Sequence, residues 1–237
     1  MRRRRGLLGF AIALVVTTAL TGSAAASPTV VNVRVEGLAS TIFEGPILTD
    51  GHTVSTASGG THVCDGTNLG ANPTPGPTAT AALDDAAASS AFSWDGTFST
   101  SFDDYFISRI GPDAQTASQF WGILLNYQFT PVGGCQQRVS SGDKVLFAFD
   151  AFSKAHFLKL TGPHFARAGQ PITVTVTDGQ NGTPISGASV GPIGNTGSAT
   201  TNAAGQAQVT FASRGVKRVK AERADSIRSN ALTVGVL

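Results

Sequence analysis

The residues able to do chemistry in this chain are few, and their spacing decides what they can do. The histidines are His52, His62, His156 and His164, and the cysteines are Cys64 and Cys135. His62-Val63-Cys64 offers two zinc donors, with His52 in the same stretch. A closed zinc site takes four ligands, and the chain has no C-x-x-C pair, so neither a metal site nor a cofactor is expected. Gly187-Ala188-Ser189-Val190-Gly191 carries the letters G-x-S-x-G. A nucleophile elbow needs a strand before the serine and a helix after it. Pro192, Gly194, Asn195 and Gly197 follow instead, so the run reads as a strand edge.

Asp150, Lys154 and His156 bring an acid, an amine and an imidazole close together in sequence. Such groups can relay protons, but on an extended segment they need not converge, and the reading is a solvated hinge. Asp84 and Asp85 diverge by about 100° on a helix, too far to form one paired-carboxylate site, and read as a solvated face. Catalysis is not expected. The remaining candidate is an aromatic and acidic group: Phe102, Asp103, Asp104, Tyr105, Trp121 and Tyr127. A rim of this composition suits stacking on a sugar ring or a planar ligand. The same side chains could equally be core, and both readings stand.

The elements that must position these residues divide into two styles. Thr29–Glu36 alternates Val31, Val33 and Val35 against Asn32, Arg34 and Glu36, the pattern of a half-buried strand. Residues 39–46 read as a short strand or loop, and 49–77 as a polar surface loop held at Cys64. Thr78–Phe92, alanine-rich and preceded by Pro77, predicts a helix capped by Thr78 or Thr80. Short strands follow, then Phe120–Phe149, read as the strands WGILLNYQF and KVLFAF joined by a connection carrying Cys135. After Gly162-Pro163 come six short alternating strands separated by Asp-Gly, Asn-Gly and similar turns, the signature of a small β-sandwich. The expected fold is mainly β. A signal peptide spans 1–26, an α+β domain with one helix on a mostly antiparallel sheet spans 27–160, and a sandwich spans 161–237.

Export follows from the N-terminus. Arg2 to Arg5, the apolar run Leu7–Leu20 and Ala24-Ala25-Ala26 form a signal peptide cut before Ser27. Removing those four arginines from seventeen basic residues leaves thirteen against fifteen acids. The exported chain is therefore near −2, with no basis for nucleic-acid binding. No membrane span is expected after cleavage, and the protein is read as a secreted monomer, free or associated with the cell surface. In that compartment a Cys64–Cys135 disulfide is the default, with two free thiols as the alternative.

Val33–Gly37 (VRVEG), Thr41–Gly45 (TIFEG), the helix around Leu83-Asp84, Phe120–Tyr127 (FWGILLNY) and Ser141–Phe149 (SGDKVLFAF) resemble the domain of unknown function 4430. That family is related to the C-terminal β-domain of transcobalamin and intrinsic factor. Ile172–Asp178, Gly182–Val190, Thr200–Ala207, Val219–Arg223 and Ile227–Val234 resemble bacterial Ig-like or carboxypeptidase-regulatory-like modules. The first resemblance implies a small β-grasp-like domain, which in the cobalamin carriers lids a bound corrinoid. The second implies a stalk or spacer. Together they imply a non-enzymatic exported binding protein, a recognition head on an Ig-like scaffold, whose partner is a cell-wall glycan or another extracellular ligand. The alternative is a carrier of a small planar ligand such as a corrinoid.

Overall fold

The computed structural model describes residues 27–193 and 198–237, so the leader expected over 1–26 and the turn at Gly194-Asn195 lie outside the described residues. The chain is mainly β with one α-helix among the described residues. Its first part comprises β1 (Thr29–Glu36), β2 (Thr41–Thr49), β3 (His52–Thr56), β4 (Gly60–Cys64), α1 (Ala79–Ser89), β5 (Trp94–Ser99), β6 (Asp104–Ile110), β7 (Asp113–Ala114), β8 (Trp121–Leu125), β9 (Gln128–Phe129) and β10 (Lys144–Phe149). The main sheet runs β2-β1-β10-β8-β9, antiparallel except for the central β1–β10 pair.

The sheet's two faces are set by strand alternation. Val31, Val33, Val35, Val145, Phe147, Phe149 and Trp121 point to one side, into a core closed by Ala79, Ala82, Leu83 and Ala86 of α1, which lies against β1 and β2, and by Trp94, Tyr105, Ile107 and Ile110 of β5 and β6. Alanine permits this close approach because it adds almost no side-chain thickness. Thr78 caps the helix, its hydroxyl accepting from the Ala81 N–H at 3.2 Å. Leu124, Leu146 and Ala148 point to the opposite side.

Two local expectations are corrected. The polar stretch after Thr49 is not all loop: His52–Thr56 and Gly60–Cys64 pair as a hairpin, with Val54 fully buried. Threonine, valine and serine alternation suffices for a strand once one apolar residue has a core to enter. WGILLNYQF is not one strand but a hairpin, β8 and β9 turning at Asn126 and Tyr127. Both turn residues are left-handed, with φ of 51° and 69°, the geometry of a tight two-residue hairpin turn. A tyrosine at positive φ is uncommon, and packing described below holds it there.

The second part comprises β11 (His156–Thr161), β12 (Phe165–Ala166), β13 (Pro171–Asp178), β14 (Ser189–Pro192), β15 (Ala199–Thr200), β16 (Gln206–Thr210), β17 (Gly215–Glu222), β18 (Ser226–Ile227) and β19 (Leu232–Val236). They form two sheets, β16-β13-β11-β18 and β12-β19-β17-β14-β15. Leu158, Leu160, Val174, Val176, Val190, Val209, Phe211, Val219 and Val234 fill the core between them. Strand β11, expected at the end of the first domain, pairs with β13 and so joins this second set of sheets.

Candidate functional site

The six residues expected as a binding rim do not gather into one surface. Phe102 is 72% exposed, and its carbonyl accepts from the Gln136 side chain. Asp103, left-handed at φ 51°, accepts from the Leu69 N–H at 2.9 Å. Asp104 is buried, takes the Cys135 N–H at 3.0 Å and stands so close to Gly133 that a Cβ there would collide with it. Burial pushes its carboxyl up to about 6, against the opposing pull of the N–H groups of Cys135, Tyr105 and Gln136. Tyr105 is core, its hydroxyl 2.9 Å from the Val54 carbonyl and 2.8 Å from that of Gly60. Trp121 is core as well, stacked edge-on against Phe149. Core packing is therefore the role of the buried members, and only Phe102 offers a large exposed surface.

Cys64 and Cys135 form a disulfide with Cα atoms 4.5 Å apart. It ties the β3–β4 hairpin to the connection before β10, beside the Thr78 cap, whose hydroxyl donates to the Cys64 carbonyl at 3.1 Å. The remaining candidate pairs separate. Asp150 meets Lys154 at 3.8 Å, while His156 turns away to Asp178 at 2.8 Å. Ser189 opens β14, pairs with Thr200 and Glu222, and is followed by strand.

Tyr127 sits elsewhere, at the seam between the two units. Its ring, 7% exposed, joins Leu124, Leu146, Ala148 and Ala151 from the first unit to Phe157 and Ile227 from the second. Its hydroxyl donates to Asn230 Oδ1 at 3.1 Å, and Asn230 in turn bonds both backbone groups of Leu160 at 3.0 Å. Gly179 lies against the ring so closely that a Cβ would collide with it. These contacts hold the left-handed backbone at Tyr127. The apolar cluster removes surface from water and supplies the attraction between the units.

A charged hub fixes the orientation of the seam. Glu36, at the end of β1, is 1% exposed. It meets Lys220 of β17 at 2.5 Å and Arg228 at 2.9 Å; Arg34 lies 3.9 Å away. Thr41 donates to Glu36 Oε2 at 3.0 Å, and Arg228 also donates to the carbonyls of Gly37 and Leu38. Glu44 adds a second bridge, to Lys220 at 3.0 Å and to the Ala231 N–H at 2.7 Å. Against an apolar replacement such a cluster gains little net stability, but it penalises any other docking that leaves one charge unpaired. On the polar face of β1, Asn32 stays exposed, while Arg34 and Glu36 are covered by the second unit.

Beside the hub a cleft of about 880 Å³ opens between the units. One wall is Ser40, Thr41 and Phe43 of the first unit; the other is Ser189, Arg218 and Glu222 of the second. Arg218 is half exposed, its guanidinium only loosely held by Glu44 at 3.8 Å. The cleft thus combines part of the Phe43 ring, which packs against Phe92 at 5.9 Å, with the hydroxyls of Ser40 and Ser189 and one available guanidinium, on walls that the hub holds fixed.

A second cluster lies under the β3–β4 hairpin. His52 Nε2 is 3.4 Å from Asp84 Oδ2, and its Nδ1 is 3.1 Å from the Asp50 carbonyl and 4.0 Å from Asp85. Trp94 Nε1 donates to Asp84 at 2.9 Å. Asp84 and Asp85 are therefore not a solvated face; both converge on His52, and burial pushes the Asp85 carboxyl up. The hydrogen bond to Asp84, helped by the Asp85 charge and opposed by burial, raises His52 to about 9. That is above the ordinary value near 6.5, so its contribution to stability is complete below about pH 6.5 and fades as pH rises through about 9. The ring is 26% exposed, which discounts the effect to about 1–2 kcal/mol. Urea unfolding at pH 6 and pH 9.5 should show this loss in the wild type and little of it in His52→Asn; equal pH dependence in both would refute the role of His52.

The residues that build the seam, Glu36, Glu44, Arg218, Lys220 and Arg228, were not singled out by sequence. A signal existed. Charge is sparse, at 14% of residues, yet Arg34 and Glu36 share one face of a short strand, and Lys220 stands between the core residues Val219 and Ala221. No protein-family model matches the chain, and no curated protein matches it.

Proposed function

We propose that this protein is an exported, non-catalytic binding protein that holds a saccharide strand of the cell surface in the seam cleft. The observation that carries the reading is the cleft itself, walled by both units and held by the Glu36 hub. Sugars are recognised by an aromatic face beside fixed hydrogen-bonding groups. The exposed part of Phe43, the hydroxyls of Ser40 and Ser189, and Arg218 supply that set. Glu44 is engaged by Lys220 and the Ala231 N–H, which suits a scaffold group better than an acid catalyst. A flat macrocycle would ask for two apolar walls, and one wall carries Arg218, Lys220 and Glu222. Glycan binding is therefore preferred to carriage of a planar ligand.

The test is co-sedimentation of the mature chain with insoluble cell-wall polysaccharide. The wild type should pellet, and Arg218→Glu should reduce retention by about tenfold, because it reverses the most available charge in the cleft. No retention of the wild type, or equal retention of the variant, would refute this placement of the site.

A further inference from the structure

Past Glu44 the seam continues as a narrower groove that the glycan reading does not use. A cavity of about 270 Å³ is lined by Asn32, Arg34, Glu44, Tyr127, Lys144 and Asn230. A second, of about 230 Å³, is lined by Lys144, Lys159, His164 and Asn230. They share Lys144, Asn230 and Ala231, and so form one path along the seam.

The charge along this path is mostly positive, with Glu44 the one carboxylate among its lining residues. Arg34 is more than nine-tenths buried; its Nη1 donates to the Arg228 carbonyl at 3.1 Å, and its Nη2 has no hydrogen-bond partner among the described residues. Its Cζ lies 5.6 Å from the centre of the Tyr127 ring, and Lys144 Nζ lies 6.0 Å from it, so the ring positions both cations. Neither Lys144 nor Lys159 has a carboxylate within 4.0 Å among the described residues. His164 donates from Nδ1 to the Thr233 carbonyl at 3.2 Å. The carboxylate in the groove, Glu44, already accepts from Ala231 and faces Lys220. In an exported chain of net charge near −2, this is a local concentration of positive charge around a buried guanidinium with donor capacity to spare. A single small anion would engage only one end of it.

We propose that this groove binds a chain of closely spaced oxyanions, one group at Arg34 and Asn230 and the next between Lys144 and Lys159. Phosphates and carboxylates share the required chemistry, and the source is decided by the probe. Isothermal titration of the mature chain at low salt should give one-to-one binding with tripolyphosphate or with trigalacturonate. The tighter of the two assigns the source as a polyphosphate or a carboxylate polymer. Lys144→Gln/Lys159→Gln should weaken that binding at least tenfold. Lys217→Gln, whose ammonium bonds Ser213 outside the groove, should leave it unchanged, and Lys144→Gln/Lys159→Gln should leave polysaccharide sedimentation unchanged, so that this site and the glycan cleft fail or survive separately. Binding of neither oligomer, equal loss in Lys217→Gln, or orthophosphate binding as tightly as tripolyphosphate would overturn the proposal.

Discussion

Replacing Glu36 with glutamine is expected to lower the unfolding free energy by about 3–5 kcal/mol, the usual cost of removing one partner from a buried ion pair. The carboxylate is 1% exposed and engages Lys220 and Arg228 directly. Lys220 is itself only 6% exposed. Glutamine keeps the volume and one acceptor, but it removes the charge and points an amide N–H toward cations. Lys220 is then left with Glu44, and Arg228 with the carbonyls of Gly37 and Leu38. The penalty is desolvation of charge rather than loss of attraction, so adding Lys220→Met to Glu36→Gln should recover part of the stability. Urea unfolding of the two single variants and the double variant reads this directly. Additive losses would mean that the two residues do not act as a pair.

The second large effect is expected from the disulfide. Cys64→Ser/Cys135→Ser should cost about 2–5 kcal/mol. The bond closes a span of 71 residues, and both cysteines are buried in the first unit's core. Beyond the entropy of the unfolded chain, it holds three pieces together: the β3–β4 hairpin, the start of α1 at Thr78, and the connection whose Cys135 N–H is taken by Asp104. Limited proteolysis of the variant should therefore cut first within residues 65–77, while β1 and β10 stay protected. A loss below about 1 kcal/mol, or first cleavage in the second unit, would contradict this account.

How much of this was legible in the sequence depended on whether the signal was local. Strand β1, the helix with its Thr78 cap and the turn-separated strands after Gly162 follow from alternation, alanine content and turn chemistry, all of which act over a few residues. The cysteine pairing followed from count and compartment. The β3–β4 hairpin was missed because one buried valine, Val54, orders an otherwise polar stretch. Tyr127 read as part of a strand because nothing nearby announces a left-handed tyrosine; its conformation is held by Gly179 and Asn230, distant in sequence. The seam was hidden for the same reason. Arg34 and Glu36 look like solvent-facing residues until a second unit, more than 180 positions later, supplies Lys220 and Arg228. The aromatic side chains misled in the opposite direction, since Tyr105 and Trp121 fill the core where a surface was also possible.

The central claim is that the two units meet in a built interface and behave as one body around the seam. Calorimetry of residues 27–237 and of their Glu36→Gln variant tests it most directly. The wild type should melt in a single transition whose calorimetric and van't Hoff enthalpies agree, and Glu36→Gln should lower that transition. Two separable transitions in the wild type, unmoved by the substitution, would contradict the account.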